Sequence, residues 1–357
     1  MRRLGLFFLL AIAAVGGFSA WLDEEVSRPF KAYAGDSIYV DIPHGTSRWG
    51  VSGILAKNGV IRNRLAFELA SQWHFSRSLQ AGEYLFDHPM TERQVFWKIA
   101  SGRIFVHTVQ IPEGWTMFDI ANELQRDGIA SREDFLRAAQ DPSLVQDIAP
   151  DAKTLEGFLF PSTYHFTRHE TADQIAETMV RQFHIVWSNL NPNPANPFVS
   201  ATNIVTLASL VERETPLATE RPLVAGVFTN RLQRKLPLQC DPTVQYALDL
   251  AGRPTVIVHH ADLQINSPYN TYLHTGLPPG PIANPGEASL RAAISPTQTD
   301  FMYFVANDAG GHFFAATLAE HNRNIVKYRR RLENDAAADP APRTAATTNP
   351  NQHRSQP

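Results

Sequence analysis

The sequence has few of the groups that build covalent cross-links or metal centres. Cys240 is the single cysteine among 357 residues, so no disulfide can form within the chain and a packed core must hold the fold. One thiol also excludes a thiolate zinc site, and none of the thirteen histidines belongs to an HExxH motif. The adjacent His259 and His260 would face opposite sides of a strand. We expect no metal and no cofactor.

The net charge of the chain is also small. The formal charge of -3 provides no general attraction to nucleic acid, and we expect no such partner. The basic run KYRRR at 327–331 fits a solvated helix face near a C-terminus, where the helix dipole favours cations. With 43% hydrophobic and 19% charged residues, the chain can bury a core, and its length favours two or three domains.

One long apolar run stands at the N-terminus. It covers nineteen residues, Leu4 to Leu22, and follows arginines at positions 2 and 3. At about 1.5 Å per residue, this run nearly spans a hydrocarbon core of roughly 30 Å. The arginines favour a cytoplasmic N-terminus with the rest of the chain exported. A cleaved signal peptide is the alternative, but Phe18 occupies the position where a small residue is expected. We therefore predict an uncleaved transmembrane anchor over residues 1–22.

Two segments of the chain repeat at an offset of 69 residues. IPHGTSRWGVSGILAKNGV begins at Ile42 and IPEGWTMFDIANELQRDGI begins at Ile111. Each copy predicts a strand ending in Ile-Pro, a glycine turn, an amphipathic helix and a glycine that ends the helix, with a second helix to follow. Five pairs of positions match: Ile42 and Ile111, Pro43 and Pro112, Gly45 and Gly114, Leu55 and Leu124, Gly59 and Gly128.

This repeated pattern predicts an α+β fold with small strand-helix-helix-strand units. The first copy, with strands near Ser37 to Ile42 and Gly82 to Phe86, lies in a segment at 23–105 that resembles the LysM-type carbohydrate-binding module. A spacer that binds nothing is equally compatible with the pattern. The second copy begins a larger mixed α+β domain at 106–333, in which we expect a glycan-binding cleft. The remaining residues, 334–357, have no apolar period and predict a disordered tail.

Three carboxylates cluster in LASLVERETPLATERPLVAGVFTNRL, Leu207 to Leu232. Thr202 can cap a helix whose apolar stripe ends at Val211. On that helix Glu212 lies beside the stripe, whereas Glu214 is about 200° around the axis and faces more polar surroundings. A carboxyl group against apolar neighbours has a raised pKa and can hold the proton that a general acid needs.

A second helix is predicted to begin at Thr219. Glu220 lies in its first turn, where the helix dipole stabilises a negative charge, and near its end Arg231 is a natural ion-pair partner for one of the glutamates. Next, Asp241 precedes a proline and predicts an N-cap, and Gln239 just before it could point its amide into a cleft.

The last part of the domain predicts a shaped loop and a hairpin. Prolines and glycines are dense between Gly276 and Gly286 and indicate a rigid loop. Asn270, Thr271 and Tyr272 precede it and offer the amide, hydroxyl and aromatic groups that hold a sugar. FMYFVAND and GHFFAATLAEH then predict a β-hairpin followed by a short helix.

Together these blocks resemble the YceG-like family, the endolytic murein transglycosylases. The resemblance rests on LVERET, VFTNRL, LQCDPTVQY, SPYNTY, GLPPGPIANPG, GGHFF and the closing EH, with LEGFLFPSTY before them. It covers the chain from about Ile42 to Tyr328. Ser162 stands where the family suggests an acidic residue, and Cys240 where it suggests a small hydroxyl residue. A membrane anchor and a LysM-like subdomain are also features of that family.

The resemblance implies cleavage of the β-1,4 bond between N-acetylmuramic acid and N-acetylglucosamine within peptidoglycan strands, with a 1,6-anhydro product. It places the catalytic glutamate on Glu212, acting first as acid and then as base, so no second carboxylate is required. An ordinary glycosidase needs two. Sugar-positioning roles are implied for the cleft residues Gln239, Asp241, Asn270 and Tyr272, with Glu220 supporting the site.

Two other functions remain open from the sequence. One is a hydrolytic muramidase that uses Glu212 with Glu220 or Asp241, and the other is a non-catalytic peptidoglycan-binding scaffold. An enzyme of the implied kind would sit in the cell inner membrane with its catalytic domain facing the periplasm or cell exterior. There it would terminate nascent strands beside peptidoglycan synthases such as penicillin-binding proteins.

Overall fold

The computed structural model describes residues 2–73, 77–190, 200–307 and 310–338. Within these ranges helices alternate with three two-stranded antiparallel sheets, so the α+β prediction is confirmed. The helices are α1 Arg2–Ser27, α2 Arg48–Lys57, α3 Arg64–Trp73, α4 Glu92–Ala100, α5 Met117–Arg126, α6 Arg132–Ala139, α7 Ala172–Leu190, α8 Ala201–Glu214, α9 Arg221–Gln233, α10 Asp241–Leu250, α11 Glu287–Ile294 and α12 Leu318–Ala338. The strands are β1 Ile38–Ile42, β2 Gly82–Phe86, β3 His107–Gln110, β4 Thr163–Phe166, β5 Tyr303–Ala306 and β6 His312–Ala315.

The chain forms two compact units. The first comprises Met1–Asp141 and Pro161–Arg181, and the second comprises Pro142–Phe160 and Gln182–Pro357. Both copies of the repeat belong to the first unit. The division of the chain into segments 23–105 and 106–333 stays a prediction.

The two copies of the repeat fold alike. Helices α2 and α5 are offset by the same 69 residues, and each begins after a hydroxyl side chain, Ser47 or Thr116, that accepts a hydrogen bond from the first turn. The turn glycines of the copies adopt φ of 76° and 79°, and the helix-ending Gly59 and Gly128 adopt 69° and 67°. Such positive φ angles are strained for residues with a Cβ atom, which explains why these positions match.

The two copies differ in the segment that lies between their paired strands. In the first copy β1 pairs with β2, with Ile38 opposite Phe86 and Ile42 opposite Gly82. In the second copy β3 pairs with β4, but residues 142–160, which lie between α6 and β4, belong to the second unit. The repeat therefore carries an insertion in its second copy that contributes to a different core.

Helix α1 contains the apolar run. Leu6–Ser27 has a mean hydropathy of 1.9 and is long and apolar enough to cross a membrane. Most of this segment is exposed, but Leu22 and Val26 near its end are buried in the core of the first unit. That core also receives α2, α3, α4, β1 and β2.

Several predicted helix boundaries shift in the second unit. Ser200, not Thr202, caps α8, because its Oγ accepts the N–H of Asn203 at 3.1 Å while Thr202 is buried and donates to Asp151. Cys240 occupies the N-cap position of α10, so Asp241 is the first helical residue.

The hairpin of β5 and β6 is confirmed, with Tyr303 opposite Ala315, but α12 after it has 21 residues and is not short. Helix α12 extends through Ala338, so the first residues of the tail predicted from residue 334 are helical. The remaining tail, residues 339–357, lies outside the described residues.

Candidate active site

The two glutamates at the end of α8 have different surroundings. The carboxylate of Glu212 is 4% exposed and accepts a hydrogen bond from Nη2 of Arg221 at 2.7 Å and another from the backbone N–H of Gly286 at 2.9 Å. Arg221 is itself 7% exposed, and Gly286 is the N-cap residue of α11. Glu212 thus connects three helices, since it lies in the last turn of α8, pairs with the first residue of α9 and accepts the N–H of the residue that precedes α11.

Glu214, in contrast, lines a cavity of about 520 Å³ in the second unit. The cavity wall combines charged, amide, imidazole and aromatic side chains, as a glycan site requires. Its lining residues are Glu214, Arg231, Leu238, Gln239, Asp241, Tyr272, Tyr303, Phe304, Val305, Ala306, His312, Leu318, His321 and Ile325. They come from the end of α8, from α9, α10 and α12, from the β5–β6 hairpin, and from the segments before α10 and α11.

Burial raises the pKa of the Glu214 carboxyl group, and the negative charge of Asp241 adds to this rise. The hydrogen bond that the Cys240 thiol donates to Glu214 acts in the other direction and lowers this pKa, as do the charges of His312 and Arg213. Cys240 is fully buried, which raises the pKa of its thiol and keeps it a neutral donor. A carboxyl group with a raised pKa retains its proton closer to neutral pH, which is the property of a general acid.

Two hydrogen-bonded pairs shape the wall around Glu214. Tyr272 donates its hydroxyl to Asp241, and Arg231 donates from Nη2 to the Gln239 amide oxygen at 2.6 Å. Gln239 adopts a positive φ of 54°, an unusual conformation for a residue with a side chain. Arg231 also donates to the carbonyl oxygen of Pro237 at 2.9 Å. The expected ion pair between Arg231 and a glutamate is therefore replaced by contacts with an amide and a carbonyl.

Asn270 does not line the cavity. Its side chain is 0% exposed, and its amide nitrogen donates to the carbonyl oxygens of Leu263 and Ile265, both at 2.9 Å. Its oxygen accepts the N–H of Tyr272 at 3.0 Å. Asn270 thus folds the loop that carries Tyr272, and its buried amide is not available for direct contact with a sugar.

The loop rich in proline and glycine is held through Asn284. The amide oxygen of this fully buried residue accepts the N–H groups of Gly157 at 2.8 Å and Leu159 at 2.9 Å. Its amide nitrogen donates to Glu156 at 2.9 Å. Gly157 has φ of 88°, and a Cβ atom there would lie 2.5 Å from Pro281. The blocks LEGFLF and GPIANPG are therefore fitted together, which explains why both carry such constrained residues.

Glu220 is connected to the cavity wall by its hydrogen-bond partner His312. Its carboxylate accepts the backbone N–H of His312 at 3.0 Å and contacts Nδ1 of the same residue at 2.8 Å. Burial favours a raised pKa for Glu220, but the hydrogen bonds from His312 outweigh it and the pKa is lowered. Glu220 is thus a hydrogen-bonded carboxylate as well as the N-cap residue of α9.

The structure brings together Gln239, Asp241 and Tyr272 of the predicted site residues, with Glu214 beside them. It does not bring Glu212, Glu220 or Asn270 to the cavity wall. The apolar stripe of α8 predicts a raised pKa for Glu212, whereas burial raises the pKa of Glu214. The sequence pattern assigns no site role to Tyr303, His312 or His321, although the aromatic hairpin and the closing EH contain them.

No group of three or more His, Cys, Asp or Glu side chains that could hold a metal ion occurs among the residues that the structure describes. The arrangement around Glu214 thus offers proton transfer by a carboxyl group, hydrogen bonding by amide and phenol groups, and an aromatic surface.

Comparison with known proteins identifies similar chains. The sequence model of the YceG-like family matches residues 40–327. An endolytic murein transglycosylase of Bacillus subtilis (strain 168) is 35% identical over 308 residues, which cover 82% of this chain and 85% of that protein. One of Streptococcus pneumoniae serotype 2 is 29% identical over 355 residues, covering 90% of this chain and 64% of that protein. A crystal structure of a yceG-like protein from Listeria monocytogenes superposes with a TM-score of 0.57 at 34% identity, covering 81% of this chain and 98% of that one.

Proposed function

The chain belongs to the YceG-like family, and we propose that it is an endolytic peptidoglycan transglycosylase whose acid and base is Glu214. Its substrate is the β-1,4 bond between N-acetylmuramic acid and N-acetylglucosamine within a glycan strand. The names of its relatives support this activity. The observation that carries the residue assignment is the position of Glu214 in the cavity wall, with a carboxyl pKa raised by burial.

The proposed reaction needs one carboxyl group. Protonated Glu214 donates its proton to the glycosidic oxygen as the bond from that oxygen to the anomeric carbon of N-acetylmuramic acid breaks. The resulting carboxylate then takes the proton of the sugar's 6-hydroxyl, whose oxygen forms a bond to the same anomeric carbon. The products are a strand ending in 1,6-anhydro-N-acetylmuramic acid and a strand with a free 4-hydroxyl, and no water is consumed.

The contacts of the two glutamates support Glu214 over the predicted Glu212. Both oxygens of Glu212 are already engaged, one by Arg221 and one by the N–H of Gly286. A carboxylate whose two oxygens are both held by buried protein donors has neither oxygen free for a substrate. Glu214 instead lines the cavity, and burial favours its protonated form.

The remaining cavity residues suit sugar positioning. Gln239 and Asp241 are held by Arg231 and Tyr272 respectively, which fixes polar groups around the acid. The Tyr303 ring stacks on His321 with centroids 5.1 Å apart, and it adds an aromatic surface of the kind on which sugar rings pack. We propose that Asn270 contributes indirectly, by holding the loop of Tyr272.

We propose further that α1 anchors the enzyme in the cell inner membrane, with both units outside the cytoplasm. The length and hydropathy of Leu6–Ser27 and the arginines before it support this topology. Termination of nascent strands beside peptidoglycan synthases such as penicillin-binding proteins fits an anchored endolytic enzyme. Glycan binding by the LysM-like segment 23–105 is supported by its resemblance and its order of β1, α2, α3 and β2.

A matched pair of variants tests the catalytic assignment. Glu214→Gln and Glu212→Gln are each incubated with uncross-linked glycan strands, and the products are analysed by mass spectrometry. We expect Glu214→Gln to lose about 10²- to 10⁴-fold in rate, as removal of a general acid does. Glu212→Gln should retain chemistry in the fraction that folds. Equal loss of rate in the folded fraction of both variants would refute the assignment to Glu214.

The masses of the same products distinguish the alternative functions. An anhydro end is lighter by one water than a hydrolysed reducing end, so exclusively reducing ends would identify a muramidase, for which Asp241 on the same cavity is the candidate second carboxylate. Wild-type protein that binds strands without cutting them would identify a scaffold.

A further inference from the structure

Glu220 directs its carboxylate away from its own helix. It is the N-cap residue of α9, but its side chain makes no hydrogen bond to the first turn of that helix. A carboxylate at this position usually caps the helix. Here both oxygens instead contact His312 on β6, one through the backbone N–H at 3.0 Å and one through Nδ1 at 2.8 Å.

The surroundings fix the geometry of this pair. A Cβ atom on Gly311 would lie 2.4 Å from Oε1 of Glu220, so the close approach of the hairpin requires glycine there. The Phe304 ring stands edge-on to the imidazole of His312, with centroids 5.2 Å apart and planes at 82°. Phe314 packs at 6.2 Å. The imidazole therefore has little freedom to rotate.

The two ring nitrogens of His312 have different surroundings. Nδ1 donates to the Glu220 carboxylate, which places the proton of a neutral ring on Nδ1 and leaves Nε2 as an acceptor. In the part of the chain that the structure describes, Nε2 forms no hydrogen bond. The ring lines the same cavity as the carboxyl group of Glu214.

We propose that His312 binds the amino-sugar substrate through Nε2, next to Glu214, and that Glu220 is the positioning residue that fixes its tautomer and orientation. This inference rests on the proposed function, because it takes the cavity around Glu214 as the glycan site. It explains why Glu220, Gly311 and His312 meet although they come from two distant segments. Together they hold the imidazole of His312 in one orientation, with Nε2 exposed to the cleft.

The tautomer is tested by nuclear magnetic resonance on the full chain in detergent micelles, labelled with ¹⁵N in its histidines. The His312 signals are identified by their loss in His312→Gln. At a pH where the ring is neutral, we expect a protonated Nδ1 in the wild type. In Glu220→Gln the amide can donate to Nδ1, so the proton should move to Nε2. An unchanged tautomer in Glu220→Gln would refute the positioning role.

Substrate contact is tested by calorimetry with a tetrasaccharide of alternating N-acetylglucosamine and N-acetylmuramic acid. The variants are made in the Glu214→Gln background, which keeps the ligand intact. We expect His312→Gln and Glu220→Gln each to weaken binding about 10-fold, the effect of one lost hydrogen bond. The double variant should be no weaker than either single one, because the two residues act as a unit.

His184→Gln is the matched control, since this histidine contacts the carbonyl oxygen of Leu144 away from the cavity. Unchanged affinity in His312→Gln would overturn the inference. Failure of the proposed function gives a different result: Glu214→Gln would then cleave the tetrasaccharide at the wild-type rate, whereas a wrong assignment of His312 leaves the tetrasaccharide intact and its affinity for His312→Gln unchanged.

Discussion

Glu212 and Glu214 are two residues apart on α8, yet the first binds Arg221 and the N-terminus of α11 while the second lines the cavity. The separation follows from helix geometry, which turns side chains two residues apart by about 200°. It divides the charged cluster into a structural carboxylate and a candidate catalytic one.

Cys240 should tune the pH dependence of the reaction. Serine is a stronger hydrogen-bond donor than cysteine, so Cys240→Ser should stabilise the Glu214 carboxylate and lower its pKa. The general acid then loses its proton earlier as pH rises, and the alkaline limb of the kcat profile should move down by roughly 0.5–1 pH unit. Cys240→Ala removes the donor and should move the limb up. Movement of both variants in one direction would contradict the contact.

Glu212 should matter for stability in the way a buried ion pair does. Glu212→Gln removes the negative charge that pairs with the buried guanidinium of Arg221 at 2.7 Å, which costs about 3–5 kcal/mol of unfolding free energy. Urea denaturation of the full chain measures this change. The double variant Glu212→Gln with Arg221→Met removes the buried guanidinium as well, so it should recover part of the loss. A double variant less stable than Glu212→Gln would count against the pair.

Asn284 should be essential for packing of the rigid loop. Asn284→Ala removes the acceptor of two buried N–H groups, those of Gly157 and Leu159, at about 1–3 kcal/mol each. The expected result is a loss of several kcal/mol in unfolding free energy, measured by denaturation. Asn230→Ala offers a comparison at a half-buried amide that donates to the carbonyl oxygens of Thr299 and Phe301. It should cost less, since carbonyl oxygens tolerate a missing partner better than buried N–H groups.

The sequence was sufficient for features set by local rules. The offset of 69 residues predicted matching helices, because glycines with positive φ and hydroxyl caps are visible in any alignment of the copies. It was insufficient where the environment of a side chain is set by a segment that is distant in the sequence. Glu212 looked apolar beside Val211, but Arg221 and Gly286 supply its polar partners. His312 looked like part of a hairpin, and only the folded position of Glu220 gives it an orientation.

Glu92 should make the stability of the first unit depend on pH. Burial raises its pKa to about 7 from an ordinary value of 4.5, and the charge of Glu25 adds to the rise. The folded state therefore binds the proton more tightly than the unfolded state. The stability this provides is fully present below about pH 4.5 and is lost as pH rises through 7, by up to about 3 kcal/mol.

Unfolding measured between pH 4.5 and 8 checks this slope. Glu92→Gln should flatten the slope, because glutamine has no proton to lose, while its amide oxygen can still accept the N–H of Asn63. A wild-type profile that rises over the same interval would contradict the assignment.

The burial of Leu22 and Val26 has a consequence for the proposed attachment to the membrane. Because the last turns of α1 are part of a core, α1 cannot rotate about its own axis independently of the first unit. With α1 in the bilayer, the tilt and rotation of the helix set which face of that unit is turned toward the lipid headgroups. Hydrophobic thickness would thereby act on the orientation of the first unit as well as on its attachment.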